Sequence, residues 1–296
     1  DLGDFRKASE LFQQALVIIR ETGERHGEIL CLINYSSALM HMGDQEQSIK
    51  LSQQAMSLAR EFGNRSAEAA AIQNQGEVLI RSGEFEQGKE LLLQCLTINR
   101  ELKNKQSEGF TLGYLALAYQ QLGDLQRAID LYLQRLSIAR DMGNRRGEGI
   151  TLSNLGIALM TTGNPLLAIE NFDQALALCR ETGDKMTEMQ ILINLGRAYF
   201  SMDQVERALE FYNKAVVLSR ETGNQRMEGN ALFMGSLVLD AQGKRQKAIS
   251  QAENALKIFV ELSDPTTDTV RSQLDQWREP RKDFKGGNKG HISSGC

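Results

Sequence analysis

The sequence predicts an all-α protein, a right-handed superhelical solenoid of antiparallel helix pairs with a 40-residue period. Three observations carry this expectation. Glycine returns in one turn column at Gly23, Gly63, Gly143, Gly183 and Gly223, with Lys103 and Ser263 as departures. It returns in a second column at Gly3, Gly43, Gly83, Gly123, Gly163 and Gly243, with Asp203 as the exception. Between the columns, apolar residues fall at i, i+4 and i+7, the spacing of one helical face. A fixed period of this kind marks a repeat array, in which each unit is too small to bury its own apolar face.

Composition agrees with a long helical chain. Three prolines, 6% aromatics and 41% hydrophobic residues in 296 positions leave Ala, Leu, Gln and Glu to supply helix propensity. The 34 Lys and Arg against 38 Asp and Glu give a net charge of −4. That balance argues against a nucleic-acid partner, which calls for basic clustering. No apolar run approaches the roughly 18 residues of a membrane span, and no charged-then-apolar leader is present, so a soluble cytoplasmic protein without a membrane partner is expected. Cys31, Cys95, Cys179 and Cys296 show no paired spacing and read as small buried thiols of a reducing compartment.

The elements follow in order. The chain opens at Asp1, Leu2 and Gly3, in register with the second turn column, so residues 1–22 read as a half repeat holding a second helix only. Either a preceding helix has been cut away, the reading we favour, or an unusual cap is present. Residues 23–262 read as six helix pairs. Each first helix has a start signal: Asn64, Asn104, Asn144, Asp184 and Asn224 can accept unpaired first-turn N–H bonds. Glu28, Glu68, Glu108, Glu148, Glu188 and Glu228 then place negative charge at the positive end of the helix dipole. Most stand three residues after Arg25, Arg65, Lys105, Arg145 or Lys185, so the ladder reads as capping and surface pairing. Residues 263–279 read as a capping helix, with Asp264 as N-cap, Pro265 at the first helical position, and Val270, Leu274 and Trp277 on one face. Residues 280–296, polar, Gly-rich and basic, read as a disordered tail.

Within each pair, the apolar column Leu32, Ile72, Leu112, Leu152, Leu192 and Leu232 precedes the small column Ser36, Gly76, Ala116, Gly156, Gly196 and Ser236. Second helices answer with Ala128, Ala168 and Ala208, then Leu92, Tyr132, Phe172 and Tyr212. Here the chain resembles the tetratricopeptide repeat family. The likeness is clearest in Leu152-Ser153-Asn154-Leu155-Gly156 with Ala168, Phe172 and Ala175, and in Leu192-Ile193-Asn194-Leu195-Gly196 with Tyr199, Ala208, Tyr212 and Ala215. The usual repeat is about 34 residues; this one is longer, with Arg20, Arg60, Arg100, Arg140, Arg180 and Arg220 where the family has a helix-ending proline. The 40-residue form is most similar to the LGN/Pins spindle-orientation adaptors, and less so to kinesin light chains and the peptide-sensing Rap regulators. All three resemblances imply a concave groove that receives peptide or protein.

No catalytic residue, metal site or cofactor is expected. His26, His41 and His291 are scattered and lack cysteine companions at ligand spacing, and no nucleophile elbow, Walker loop or HExxH occurs. Carboxylates fall on repeating columns read as exposed. The expected peptide-binding residues lie on the first helices. Asn34, Asn74, Asn154 and Asn194 form a ladder, interrupted by Tyr114, whose amides offer both donor and acceptor to an extended backbone. Phe110, Ile150, Ile157, Ile193 and Phe233 supply apolar anchors, and Gln73, Arg81, Gln120 and Arg197 set orientation. The favoured function is a non-catalytic adaptor; a Rap-like regulatory sensor and a structural module self-associating through the open N-terminal helix are the alternatives.

Overall fold

The computed structural model describes residues 2–279, and the tail expected at 280–296 lies outside them. Among the described residues there are fourteen helices and no strand. Contacts divide the chain into two compact units, Asp1–Asn194 and Leu195–Cys296, the boundary falling within α10.

The first unit opens with α1 (Leu2–Thr22). First and second helices then alternate: α2 (Arg25–Met42) and α3 (Gln45–Glu61), α4 (Arg65–Ser82) and α5 (Phe85–Glu101), α6 (Lys105–Gln121) and α7 (Leu125–Asp141), α8 (Arg145–Thr161) and α9 (Pro165–Thr182). α10 spans Lys185–Ser201. Each helix from α1 to α8 packs on the next in sequence. The second unit holds α11 (Val205–Glu221), α12 (Gln225–Ala241), α13 (Arg245–Glu261) and α14 (Thr266–Arg278), again packed in succession.

Local chemistry sets the helix ends. The side chains of Asn64, Asn104, Asn144, Asp184 and Asn224 accept from the N–H groups of Ala67, Ser107, Gly147, Thr187 and Met227 at 2.8–3.1 Å. The turn glycines lie in the left-handed region, Gly143 at φ 64° and Gly163 at φ 77° for example, where a Cβ is penalised. The departures take the same conformation without that freedom: Lys103 at φ 53°, Asp203 at φ 59° and Ser263 at φ 51°. Two boundaries differ from the sequence reading. Gly3 lies inside α1, and α14 starts one residue later than the Asp264-Pro265 signal, with Asp264 accepting from the Thr266 N–H at 2.9 Å.

Interlocking small and large residues build the core. A Cβ on Gly156 would lie 2.5 Å from Phe172 Cε1, and one on Gly196 would lie 2.7 Å from Tyr212 Cε1. Phe172 and Tyr212 are buried as a result, each such side chain contributing about 2–3 kcal/mol of transfer free energy. The first repeat solves the same contact differently: Ser52 stands in the column of Phe172, and its hydroxyl meets that of Ser36 at 2.6 Å. Clusters link successive repeats, as in Ala116, Ala128, Tyr132, Leu155 and Ala158. In the second unit, Val270, Leu274 and Trp277 of α14 are buried.

The Glu column departs from its exposed reading. Glu28, Glu68, Glu108, Glu148 and Glu188 are buried, because each carboxylate is clamped by two cations. Glu108, for instance, accepts from Arg100 Nε at 2.9 Å and from Lys105 Nζ at 2.8 Å. Cys31, Cys95 and Cys179 are buried, free thiols; Cys296 lies outside the described residues.

Candidate functional site

In the first unit, α2 touches α4 and α4 touches α6, while successive second helices are held further apart. The row of first helices is therefore the tighter, inner side. Of the expected binding residues, those numbered 34 to 157 lie on first helices of this row, α2, α4, α6 and α8.

The structure sorts them into three groups. Asn34 is exposed, Asn154, Ile150 and Ile157 are half-buried, and Phe110 and its column mate Leu30 are each 44% exposed despite their apolar side chains. These remain partly or largely exposed. A second group is engaged within the protein. Asn74 Nδ2 donates to the Ile33 carbonyl of the preceding repeat at 3.0 Å. Gln73 Oε1 accepts from the Thr111 hydroxyl at 3.2 Å and Gln120 Oε1 from the Tyr132 phenol at 3.3 Å.

The third group is removed from the surface. Asn194 is 3%, Ile193 6% and Phe233 5% exposed. All three are packed residues in this structure, as Ile33 of the first repeat is too. Asn194 Nδ2 is buried without a hydrogen-bond partner among the described residues. Arg197 is exposed and belongs to the second unit, as does Phe233.

Tyr114, which interrupts the Asn ladder, has a distinct setting. Burial first, then the neighbouring Glu77 carboxylate, raises its phenol pKa well above the usual value, so it stays a neutral donor. Arg81 Nε donates to Glu77 Oε1 at 2.9 Å. Burial opposes the Arg81 charge, but Glu77 outweighs it and holds the guanidinium pKa above its ordinary value. Glu77, Arg81 and Tyr114 thus form a polar group on the inner face of two adjacent repeats. The sequence points to Glu77, Arg81 and Tyr114 individually, but not to Glu77 as the link between the other two. The sequence reading also passes over Arg135, whose signal was available: this arginine interrupts a column of small residues.

Among the described residues, no group of three or more His, Cys, Asp or Glu is placed to hold a metal, and no helix is long and apolar enough to cross a membrane. His26 Nδ1 lies 3.3 Å from Asn64 Nδ2, and His41 stacks on Phe5 with ring centroids 4.6 Å apart.

Paired helices stacked with an open inner face define a helical-repeat protein of the protein-interaction class. The tetratricopeptide repeat family profile matches residues 68–141, 148–221 and 187–261, and the chain belongs to that family. A search of curated proteins returns no match. Among solved structures, a signal-transduction ATPase of the STAND type with a tetratricopeptide repeat sensor, from Pyrococcus horikoshii, aligns with TM-score 0.71 at 17% identity. The alignment covers 90% of this chain and 44% of that one, so this chain spans less than half of that protein. Nearly identical TPR-like repeats from Podosopora anserina, described as kinesin light chain, align with TM-score 0.55 at 22% identity, covering 65% of this chain and 95% of that one. A Rap protein complexed with Competence and Sporulation Factor aligns with TM-score 0.63 at 12% identity, covering 91% and 84%. At these identities the likeness is one of fold.

Proposed function

We propose that this chain is a non-catalytic adaptor whose first unit receives a segment of a partner protein on the inner face of α2, α4, α6 and α8. One observation carries the reading. Leu30 and Phe110 stand 44% exposed although apolar, on the face that also holds Ile150, Ile157 and Asn154. Clustered exposed apolar side chains among polar neighbours are the mark of an interaction surface. An amphipathic segment suits it, with apolar anchors supplying affinity and Asn34 and Asn154 bonding its backbone.

The test is a titration of a partner captured on the wild-type chain against the Phe110→Ala, Asn154→Ala double variant, with helicity checked by circular dichroism. Affinity should fall at least about tenfold, equivalent to about 1.4 kcal/mol. Equal affinity for a folded variant would discard the inner face as the binding surface.

A regulatory reading is favoured by the fold shared with a Rap protein whose structure holds Competence and Sporulation Factor. In it, a short peptide would alter the stacking of the repeats and so control an attached domain. A change in small-angle scattering on addition of the captured segment would support it, and an unchanged curve at saturation would leave the adaptor reading. Self-association through α1, where Leu11, Val17 and Ile18 are exposed, predicts a concentration-dependent mass in sedimentation.

A further inference from the structure

Six of the seven second helices carry a small residue at one packing position: Ala15, Ala55, Cys95, Ala175, Ala215 and Ala255. All but Ala15 are fully buried there. The seventh helix, α7, has Arg135, which is half-buried.

The facing helix gives way to it. Gly113 stands where the other first helices have Ile33, Gln73, Ser153, Ile193 or Phe233, and a Cβ on Gly113 would lie 2.1 Å from Arg135 Nη1 and 2.8 Å from its Cζ. The guanidinium therefore fills the space of the missing side chain. It lines a small cavity of about 30 Å³ with Phe110, Asn144 and Gly147, room for one water-sized group such as a carboxylate oxygen. No carboxylate among the described residues pairs with it. The titratable groups that act on it are the phenols of Tyr132 and Tyr114, and burial disfavours its charge.

An arginine remains ionised in a protein, and a partly desolvated cation without an acceptor is costly. Alanine, which five of the other six second helices carry at this position, would carry no such cost. The Arg135–Gly113 pair is thus a paired departure that stability does not explain, and it opens beside the exposed ring of Phe110.

We propose that Arg135 is an anion-binding subsite of the inner face, taking a carboxylate of the partner segment while Phe110 packs against an adjacent apolar side chain. The carboxylate belongs to an Asp or Glu side chain or to a chain terminus. The assignment rests on the inner-face reading above and names the chemistry of its ligand: planar, bidentate recognition that a guanidinium fork suits.

The test titrates the ¹⁵N-labelled chain with sodium acetate, against sodium chloride at matched ionic strength, and follows the Gly113 and Phe110 amides. Acetate should give a saturable shift that chloride does not, and Arg135→Ala should abolish it. That variant restores the residue its column otherwise holds, so it is expected to fold. Arg135→Lys keeps the charge without the fork and should weaken acetate binding. No saturable shift, an undiminished shift in Arg135→Ala, or tighter binding of inorganic phosphate than of acetate would overturn the assignment. N-acetyl-aspartate amide and N-acetylglycine, carrying only a side-chain and only a terminal carboxylate, then distinguish the source: tighter binding of either supports the subsite and identifies it. Acetate binding is read without a partner, so its failure removes the subsite, whereas the Phe110→Ala, Asn154→Ala titration separately decides the inner face.

Discussion

Arg140 Nε donates to Glu148 Oε1 across 2.7 Å, tying the last turn of α7 to the first turn of α8. The same link recurs at Arg20–Glu28, Arg60–Glu68, Arg100–Glu108, Arg180–Glu188 and Arg220–Glu228, at 2.7–2.9 Å. Every junction from one second helix to the next first helix carries it. The carboxylate takes a further cation three residues upstream, as from Arg145 Nη1 at 3.2 Å. Gln225 cannot supply that cation at the last junction, where the Glu228 side chain is 16% exposed against 10% or less in the other five.

Removing one partner leaves a buried carboxylate with half its compensation. Arg140→Ala should lower the free energy of unfolding by about 1–2 kcal/mol, less than for a fully buried pair because the arginine is half exposed. Arg140→Lys should recover little, since an ammonium cannot reproduce the Nε–H geometry. Urea denaturation measures both, and a loss within a few tenths of a kcal/mol would make the link ornamental.

Acid should attack the same clamps. Glu28 has its carboxyl pKa lowered chiefly by the Arg20 hydrogen bond. For Glu68, Glu108 and Glu188 burial is the largest influence and acts upward, but the two cation hydrogen bonds together outweigh it and the pKa is lowered. With folded values below the ordinary 4.5, the unfolded chain binds more protons in acid. Stability supplied by these groups is present above that value and lost as pH falls through the folded values. The urea midpoint should fall below about pH 4.5, and Glu68→Gln with Glu188→Gln should flatten the dependence while lowering the plateau. A wild-type midpoint unchanged at pH 3 would contradict this.

Fold and junction chemistry differ in how far the sequence reveals them. The period alone locates Gly156 against Phe172, because both are repeated and only packing demands that alternation. It also finds Arg25 and Glu28 as a local i,i+3 pair. The Arg20–Glu28 link escapes, because its eight-residue separation crosses a turn and belongs to no single helix. The site is less legible still. Asn34, Asn74 and Asn194 are one column in sequence, yet one is exposed, one bonds Ile33, and one is buried. Exposure depends on the neighbouring repeats, so identical residues at identical register acquire different work.

Opposite substitutions at glycine positions should move stability in opposite directions. Gly156→Ala would place a Cβ within 2.5 Å of the buried Phe172 ring, forcing apart α8 and α9 and costing about 1–3 kcal/mol. Lys103→Gly relieves a left-handed backbone at φ 53° and should add about 1 kcal/mol. Thermal unfolding of the two variants against wild type tests both signs.

The Asn column can be divided experimentally into scaffold and contact. Asn74→Ala removes the donor to the Ile33 carbonyl and should cost about 1 kcal/mol of stability, because that bond joins α2 to α4. Asn34→Ala, at an exposed position, should leave the unfolding curve within about 0.5 kcal/mol of wild type. In binding, the order reverses: Asn34 and Asn154 retain free amides on the inner face, so their loss should weaken a captured partner while Asn74→Ala acts only through the fold. Paired denaturation and titration of the three single variants resolve the two roles. If Asn34→Ala destabilises as much as Asn74→Ala, the column is uniformly structural and the apolar residues around Phe110 must carry recognition alone.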